Sequence, residues 1–401
     1  MSTVEMEVFS NIQLIILVVI MLLGNEVFIS VFTLLYRASR LRKSSPDNSI
    51  LQSATRCLSY TVLGYLLVVH VLGCCLVYLY MTVVPSANKV LQRKGIQLPT
   101  FTLFTVVSSF TNCGFIPTNE NMISFKGNSS LLLILIPQIL TGNTLYPLCL
   151  RSSIWALWKL TGKAEFGHIL DNSEALRYGY MMSWPRCFLL GAAALGLIMV
   201  QLVMFCLMEW RNQELVELST YQKLAGSLFQ VSNSRHSGEN IVDFFSLSPA
   251  ILALFVVAMY LPASTFLIPS ATKPEMETTG NGIISNKNLK KNKTIIMLQN
   301  LKVSPVFNIA IFIIMICITE RQSMKQDPLN FNVFNIVLEV VSAYENVGYT
   351  MGYSCSKRRL MMLSDDGKCE DKWYGFVGRW SKEGKALLIL VMLFGRLNKF
   401  R

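Results

Sequence analysis

The chain has 401 residues, 52% hydrophobic and only 15% charged, against about 25% charged in ordinary soluble domains, and its mean hydropathy is +0.44. That balance excludes a water-soluble globular domain. The net charge of +12 would suit a nucleic acid, but the basic residues gather mainly in alternate connections between apolar runs, so no nucleic-acid partner is expected.

A helix needs roughly 20 apolar residues to cross a hydrocarbon core about 30 Å thick. Runs of this kind fall at 12–36, 58–84, 129–150, 187–209, 247–270, 305–319 and 382–399. The opening MSTVEMEVFS is acidic and lacks the basic flank of a secretory signal, so the first run is expected to act as its own targeting signal. Arg37, Arg40, Arg42, Lys43 and Arg56 fill the first connection. Arg151, Lys159, Lys163, Arg177 and Arg186 fill the next but one, and Lys273, Lys287, Lys290, Lys291, Lys293 and Lys302 another. By the positive-inside pattern these connections lie in the cytoplasm. Segment 349–381 departs from the pattern, although Asp365, Asp366, Glu370 and Asp371 offset part of its charge.

Between the apolar runs the polar segments repeat. FTLFTVVSSFTNCGF (101–115), YQKLAGSLFQVSNSRHSGE (221–239) and FNVFNIVLEVVSAYENVGY (331–349) each read as a short amphipathic helix ending in a glycine with polar neighbours. The following runs also echo one another, with GNEVFIS at 24–30, GNTLYPL at 142–148, PASTFLI at 262–268 and GRLNKF at 395–400. Internal repeats reset the fold class. The expected architecture is an all-α polytopic membrane protein of four pseudo-symmetric helix, pore loop, helix units at 1–57, 58–186, 187–304 and 305–401, the first incomplete.

Non-helical backbone survives at membrane depth only where protein or a water-filled path satisfies it. Gly114, Gly238 and Gly348 would let the backbone adopt conformations closed to other residues and offer carbonyl oxygens in place of a cation's hydration shell. A glycine can instead simply end a surface helix; three at matching positions favour the first reading.

Glu120 and Glu239, with Glu5 and Glu7, follow the pore positions and would concentrate cations at an outer mouth. Asn112 and Asn346 are expected beside the pore. Pro262, Ser264 and Thr265 interrupt the fifth run and form a candidate gate or a static kink. Seven of the ten cysteines lie in or beside apolar runs; Cys355 and Cys369 either pair outside the membrane or remain free thiols. His70, His168 and His236 are scattered, so no metal site and no cofactor is expected. Asn128 and Asn292 match the N-glycosylation pattern, and neither is expected to be used. A seven-span receptor would not explain the recurring glycine segments, and no convergent acids, bases or nucleophiles point to an enzyme.

FTNCGFIPTNENM, NSRHSGE, SAYENVGYTMGYSC and VMLFGRLNKF resemble the pore segments of the plant high-affinity potassium transporter (HKT) family, related to the Trk and Ktr cation transporters. The resemblance covers essentially the whole chain. It implies four units around one permeation path for Na+ or K+ in the plasma membrane, a filter with one residue per unit, and a homodimer. Gly114, Gly238 and Gly348 match the last three filter positions and Ser2, in MSTVEMEVFSN, the first. A serine there resembles members that prefer Na+, with joint Na+ and K+ transport the alternative. The family's first span and first pore helix are not among these residues. An amine beside Ser2, normally protonated near neutral pH, would oppose cation entry, so this chain alone is expected to conduct poorly, or to act as a non-conducting or regulatory subunit. Family members read SAYGNVG where this chain has Glu345, which is expected either to point into a polar pocket or to pair with Arg396, the basic residue matching the family's Gly-Arg motif.

Overall fold

Helix breaks, more than helix lengths, set the shape of this protein. The computed structural model describes residues 2–44, 49–172, 176, 178–261, 305–355 and 372–399, and within them every regular element is helical. The first apolar run is two helices, α1 (Asn11–Gly24) and α2 (Glu26–Ser44), bent by 54°. Asn25 between them is extended, with φ −75° and ψ 132°, and its Oδ1 accepts from the N–H groups of Val27 and Phe28 at 2.9 and 3.1 Å. One side chain thus ends α1 and caps α2.

α3 (Ser49–Val83) is the longest helix, 35 residues or about 52 Å at 1.5 Å per residue. A buried short helix, α4 (Leu98–Thr111), follows. The run at 129–150 is not the single straight crossing that hydropathy suggests. It divides into α5 (Ser129–Thr141) and α6 (Tyr146–Thr161), whose axes differ by 82°. The chain turns at Gly142, where an added Cβ would lie 2.0 Å from the carbonyl oxygen of Phe110, so only glycine permits this approach. α7 (Trp184–Glu209) is long and apolar enough to span, and α8 (Thr220–Asn233) is again short and buried. α9 (Pro249–Tyr260) opens the fifth run; Pro262, Ser264 and Thr265 lie outside the described residues. α10 (Pro305–Thr319), α11 (Val333–Tyr344) and α12 (Lys382–Lys399) follow, and Pro85–Lys94, Ala164–Asp171 and Arg321–Gln326 are short connecting helices.

α3 and α7 leave Leu67, Val71, Leu79, Leu195, Val203 and Leu207 exposed. Such surfaces belong in lipid, and the protein is membrane-embedded. α4, α8 and α11 have 14, 14 and 12 residues, about 18–21 Å, too short to cross. They are enclosed by protein instead. α4 packs on α1, α3 and α5; α8 on α5 and α7; α11 on α9, α10 and α12. That enclosure lets α4 bury Thr102, Thr105, Ser108 and Ser109 where a lipid-facing helix could not. Cys355 is disulfide-bonded and so is not a free thiol; Cys369, the candidate partner, lies outside the described residues.

Candidate functional site

Each short helix delivers a glycine in the left-handed region. α4 stops at Asn112 (φ 54°, ψ 40°), whose N–H returns to the α4 carbonyls, and Gly114 follows at φ 75°. After α8 comes Gly238 at φ 68°; after α11 come Asn346 at φ 56° and Gly348 at φ 101°. These φ values select glycine, and Asn more than most other residues.

The three glycine segments meet backbone to backbone. A Cβ on Gly114 would stand 1.6 Å from the Ser237 carbonyl oxygen, and one on Gly238 2.6 Å from the Val347 oxygen. On Gly348 it would lie 3.4 Å from the Ser237 oxygen and 3.5 Å from that of Cys113. Ser2 joins from the other side, its carbonyl accepting from the Gly375 N–H at 2.9 Å. The segment at Gly375 therefore holds the Ser2 carbonyl, a tether that sequence reasoning did not anticipate. Ser2, Gly114, Gly238 and Gly348 line one cavity of about 300 Å³. A second, of about 480 Å³, shares Gly348 and Phe115 in its wall and also touches Asn112, Asn346, Glu345 and Arg396.

The packing behind the glycines repeats. Gly142 abuts the Phe110 carbonyl, and a Cβ on Gly395 would lie 1.8 Å from the Tyr344 carbonyl. Phe110 and Tyr344 each stand four residues before their glycine, so the GNTLYPL and GRLNKF segments dock in the same register.

Polar side chains that the sequence did not single out brace this arrangement. Gln230, fully buried on α8, donates to the Tyr349 hydroxyl at 3.1 Å and accepts from the Ile241 N–H at 3.0 Å, linking the second and third glycine segments. The Ser342 hydroxyl accepts from the Gly348 N–H at 3.2 Å. Their only sequence signal was a polar residue on the apolar face of a short helix. Glu239 corrects an expectation. It is 0% exposed and accepts from Ser109 Oγ at 2.7 Å, so it backs the glycine segment and is not a solvated acid at an outer mouth.

Glu120 does line the first cavity, but with a partner. Lys94, from the helix Pro85–Lys94, bridges it to Glu7, with 2.5 Å to the Glu7 carboxylate and a shorter contact to Glu120. Glu7 and Asn119 also exchange two backbone to side-chain hydrogen bonds at 3.0 Å, fastening the N-terminal segment. Burial pushes the Glu120 carboxyl up, but the hydrogen bond and charge of Lys94 outweigh it and hold the pKa below the ordinary value. Burial likewise works against Lys94, and the two carboxylates raise its pKa overall.

In the second cavity Arg396 pairs with Glu26 at 2.9 Å and also donates to the Gly24 carbonyl. Tyr180 donates to the other oxygen of Glu26 at 2.7 Å. Glu345, expected either to point into a polar pocket or to pair with Arg396, lines the same cavity as Arg396 and is an electrostatic neighbour of Arg235. Neither Glu26 nor Arg235 was foreseen, since nothing local in the sequence indicates partners on distant helices.

Comparisons with known proteins identify the family. Residues 33–365 match the family model for TrkH, described as a cation transport protein. The chain is 45% identical over 432 aligned residues to the sodium transporter HKT1 of Arabidopsis thaliana, covering 100% of this chain and 84% of that protein. It is 42% identical to the cation transporter HKT1;3 of Oryza sativa subsp. japonica (100% and 80% covered) and 41% identical to the probable cation transporter HKT1;4 of the same organism (100% and 86%).

Proposed function

The chain belongs to the TrkH cation transport family, in its plant HKT branch, and on that premise we propose that it moves Na+, in preference to K+, through a path walled by Ser2, Gly114, Gly238 and Gly348. It is a membrane-embedded cation transporter and not an enzyme. The observation that carries the finer reading is the close approach of three left-handed glycines, on one cavity with Ser2 and next to a second cavity.

The physical logic is dehydration without charge trapping. Backbone carbonyls replace water around an entering alkali ion, and their neutral dipoles hold it weakly enough for release. In this reading the first cavity is the outer vestibule, where Glu120 and Asp243 in the wall and Glu7 beside it outnumber Lys372 and Lys94 and leave a net negative charge that attracts cations. The second cavity is the inner one. Of its fixed charges, Arg396 is paired with Glu26 and Arg235 has Glu345 as an electrostatic neighbour, so the positive charge facing a cation is reduced. A hydroxymethyl side chain at Ser2 narrows the ring and supports the preference for the smaller ion. The four-unit arrangement, a gate at Pro262, Ser264 and Thr265, the plasma membrane as location and a homodimeric assembly belong to the same proposal and rest on the family resemblance.

Uptake of radiolabelled Na+ by cells expressing the chain, with K+ as competitor, tests the reading. Uptake above the empty-vector level that Gly348→Ala, the glycine substitution with room for a Cβ, reduces supports it; uptake equal to the empty vector overturns it in favour of a non-conducting subunit.

A further inference from the structure

The Thr350 hydroxyl stands at the crossing of hydrogen bonds that end at the Ser2 carbonyl. It donates to Oε1 of Glu339 at 2.5 Å and accepts from the Phe376 N–H at 2.9 Å, with the Gly352 N–H at 3.4 Å. Glu339, on α11, is 0% exposed, and the same oxygen accepts from the Met351 N–H at 3.0 Å. Gly375, adjacent to Phe376, donates its N–H to Ser2. The packing there leaves little slack: a Cβ on Gly375 would lie 3.0 Å from Thr350 Oγ1 and 3.2 Å from the Ser2 oxygen. Thr350, Gly375 and Ser2 all border the first cavity.

We propose that Thr350 is a positioning residue for the first filter position, clamping the Gly375–Phe376 segment between buried Glu339 and the Ser2 carbonyl and so setting the geometry that discriminates Na+ from K+. This rests on the proposed cation path. The chemistry requires a hydroxyl. One group must give a proton to a carboxylate while accepting from a backbone N–H, and a hydroxyl, with one donor and two acceptor lone pairs, does both. A methyl of equal size does neither, and leaves the buried Phe376 N–H and a Glu339 oxygen short of a partner. Carbonyl placement in a cation site is sensitive to small displacements, so loosening Gly375 moves the Ser2 oxygen without touching the three glycines.

The test compares Thr350→Val with Thr350→Ser in the full chain reconstituted in lipid nanodiscs for amide hydrogen exchange, and in cells for Na+ and K+ uptake. The expectation is faster exchange in the peptide containing Gly375 and Phe376 for Thr350→Val, with protection retained in Thr350→Ser. The Na+ over K+ uptake ratio should fall about fivefold in Thr350→Val, the scale of one lost hydrogen bond, and recover in Thr350→Ser. Unchanged exchange in Thr350→Val overturns the clamp, whatever the uptake. Altered exchange with an unchanged ratio overturns its role in discrimination. Absence of wild-type uptake fails the transport reading, and with it the selectivity role.

Discussion

Arg396 and Glu26 meet at 2.9 Å in the wall of the second cavity, tying the last helix to the bend that follows the first. A half-buried pair of this kind acts as a unit, so the two side chains should not contribute independently. Glu26→Gln leaves the guanidinium uncompensated beside the proposed path and is expected to lower Na+ uptake about fivefold, with Arg396→Gln in the same chain restoring most of it, a coupling of about 1 kcal/mol. Uptake measured across the double-mutant cycle checks this; additive losses would show that the pair does not act as one.

Arg235 and Glu345 line the same cavity as electrostatic neighbours. Glu345→Gly, which restores the residue usual in the family, is expected to reduce Na+ uptake while leaving expression intact, and Arg235→Gln added to it to relieve the loss. If Glu345→Gly raises uptake instead, the carboxylate obstructs the path and does not balance Arg235.

The three glycines should not tolerate alanine equally. At Gly114 and Gly238 a Cβ would sit 1.6 and 2.6 Å from neighbouring carbonyl oxygens, so both substitutions are expected to abolish the folded protein. At Gly348 the nearest atoms are 3.4 and 3.5 Å away and the penalty is mainly the positive φ, about 1–2 kcal/mol. Size-exclusion profiles of a fluorescent fusion should therefore show a monodisperse peak for Gly348→Ala alone among the three, with Na+ uptake reduced.

The Lys94 bridge gives a pH-dependent stability. The depressed Glu120 pKa contributes stability above its unfolded value near 4.5 that is lost as pH falls through the lower folded value. The raised Lys94 pKa contributes stability below 10.5 that is lost as pH rises through the higher folded value. Lys94→Met should lower the melting temperature of purified protein at pH 7, a loss of about 1 kcal/mol, and the difference from wild type should shrink below pH 4.5. A constant difference from pH 7 down to pH 3 would show that the bridge does not carry it.

Hydropathy located the apolar segments well because burial in lipid depends on composition alone. Runs 305–319 and 382–399 coincide with α10 and α12, and 187–209 lies inside α7. What composition does not encode is direction. The turns at Asn25 and after Thr141 arise from one side-chain cap and one backbone contact, neither of which changes the apolar count. Gly114, Gly238 and Gly348 were legible because a left-handed φ restricts residue choice and recurs. Glu26, Arg235 and Thr350 were not, since their partners lie on other segments and no local pattern records such a pairing. Glu239 misled for a related reason: a carboxylate after a polar turn looks the same whether solvated or enclosed.

The short helices α4, α8 and α11 have one further consequence. All three run their C-terminal ends toward the second cavity, where Asn112, Arg235 and Asn346 form part of its wall. The aligned peptide dipoles of a helix place about half a negative elementary charge at that end, so three ends together bring roughly one and a half negative charges to bear on the same space. This field holds no proton and cannot be titrated away. The three ends offset part of the positive charge of the two guanidinium groups in the cavity wall, so a cation meets a lower electrostatic barrier there than those groups alone would set.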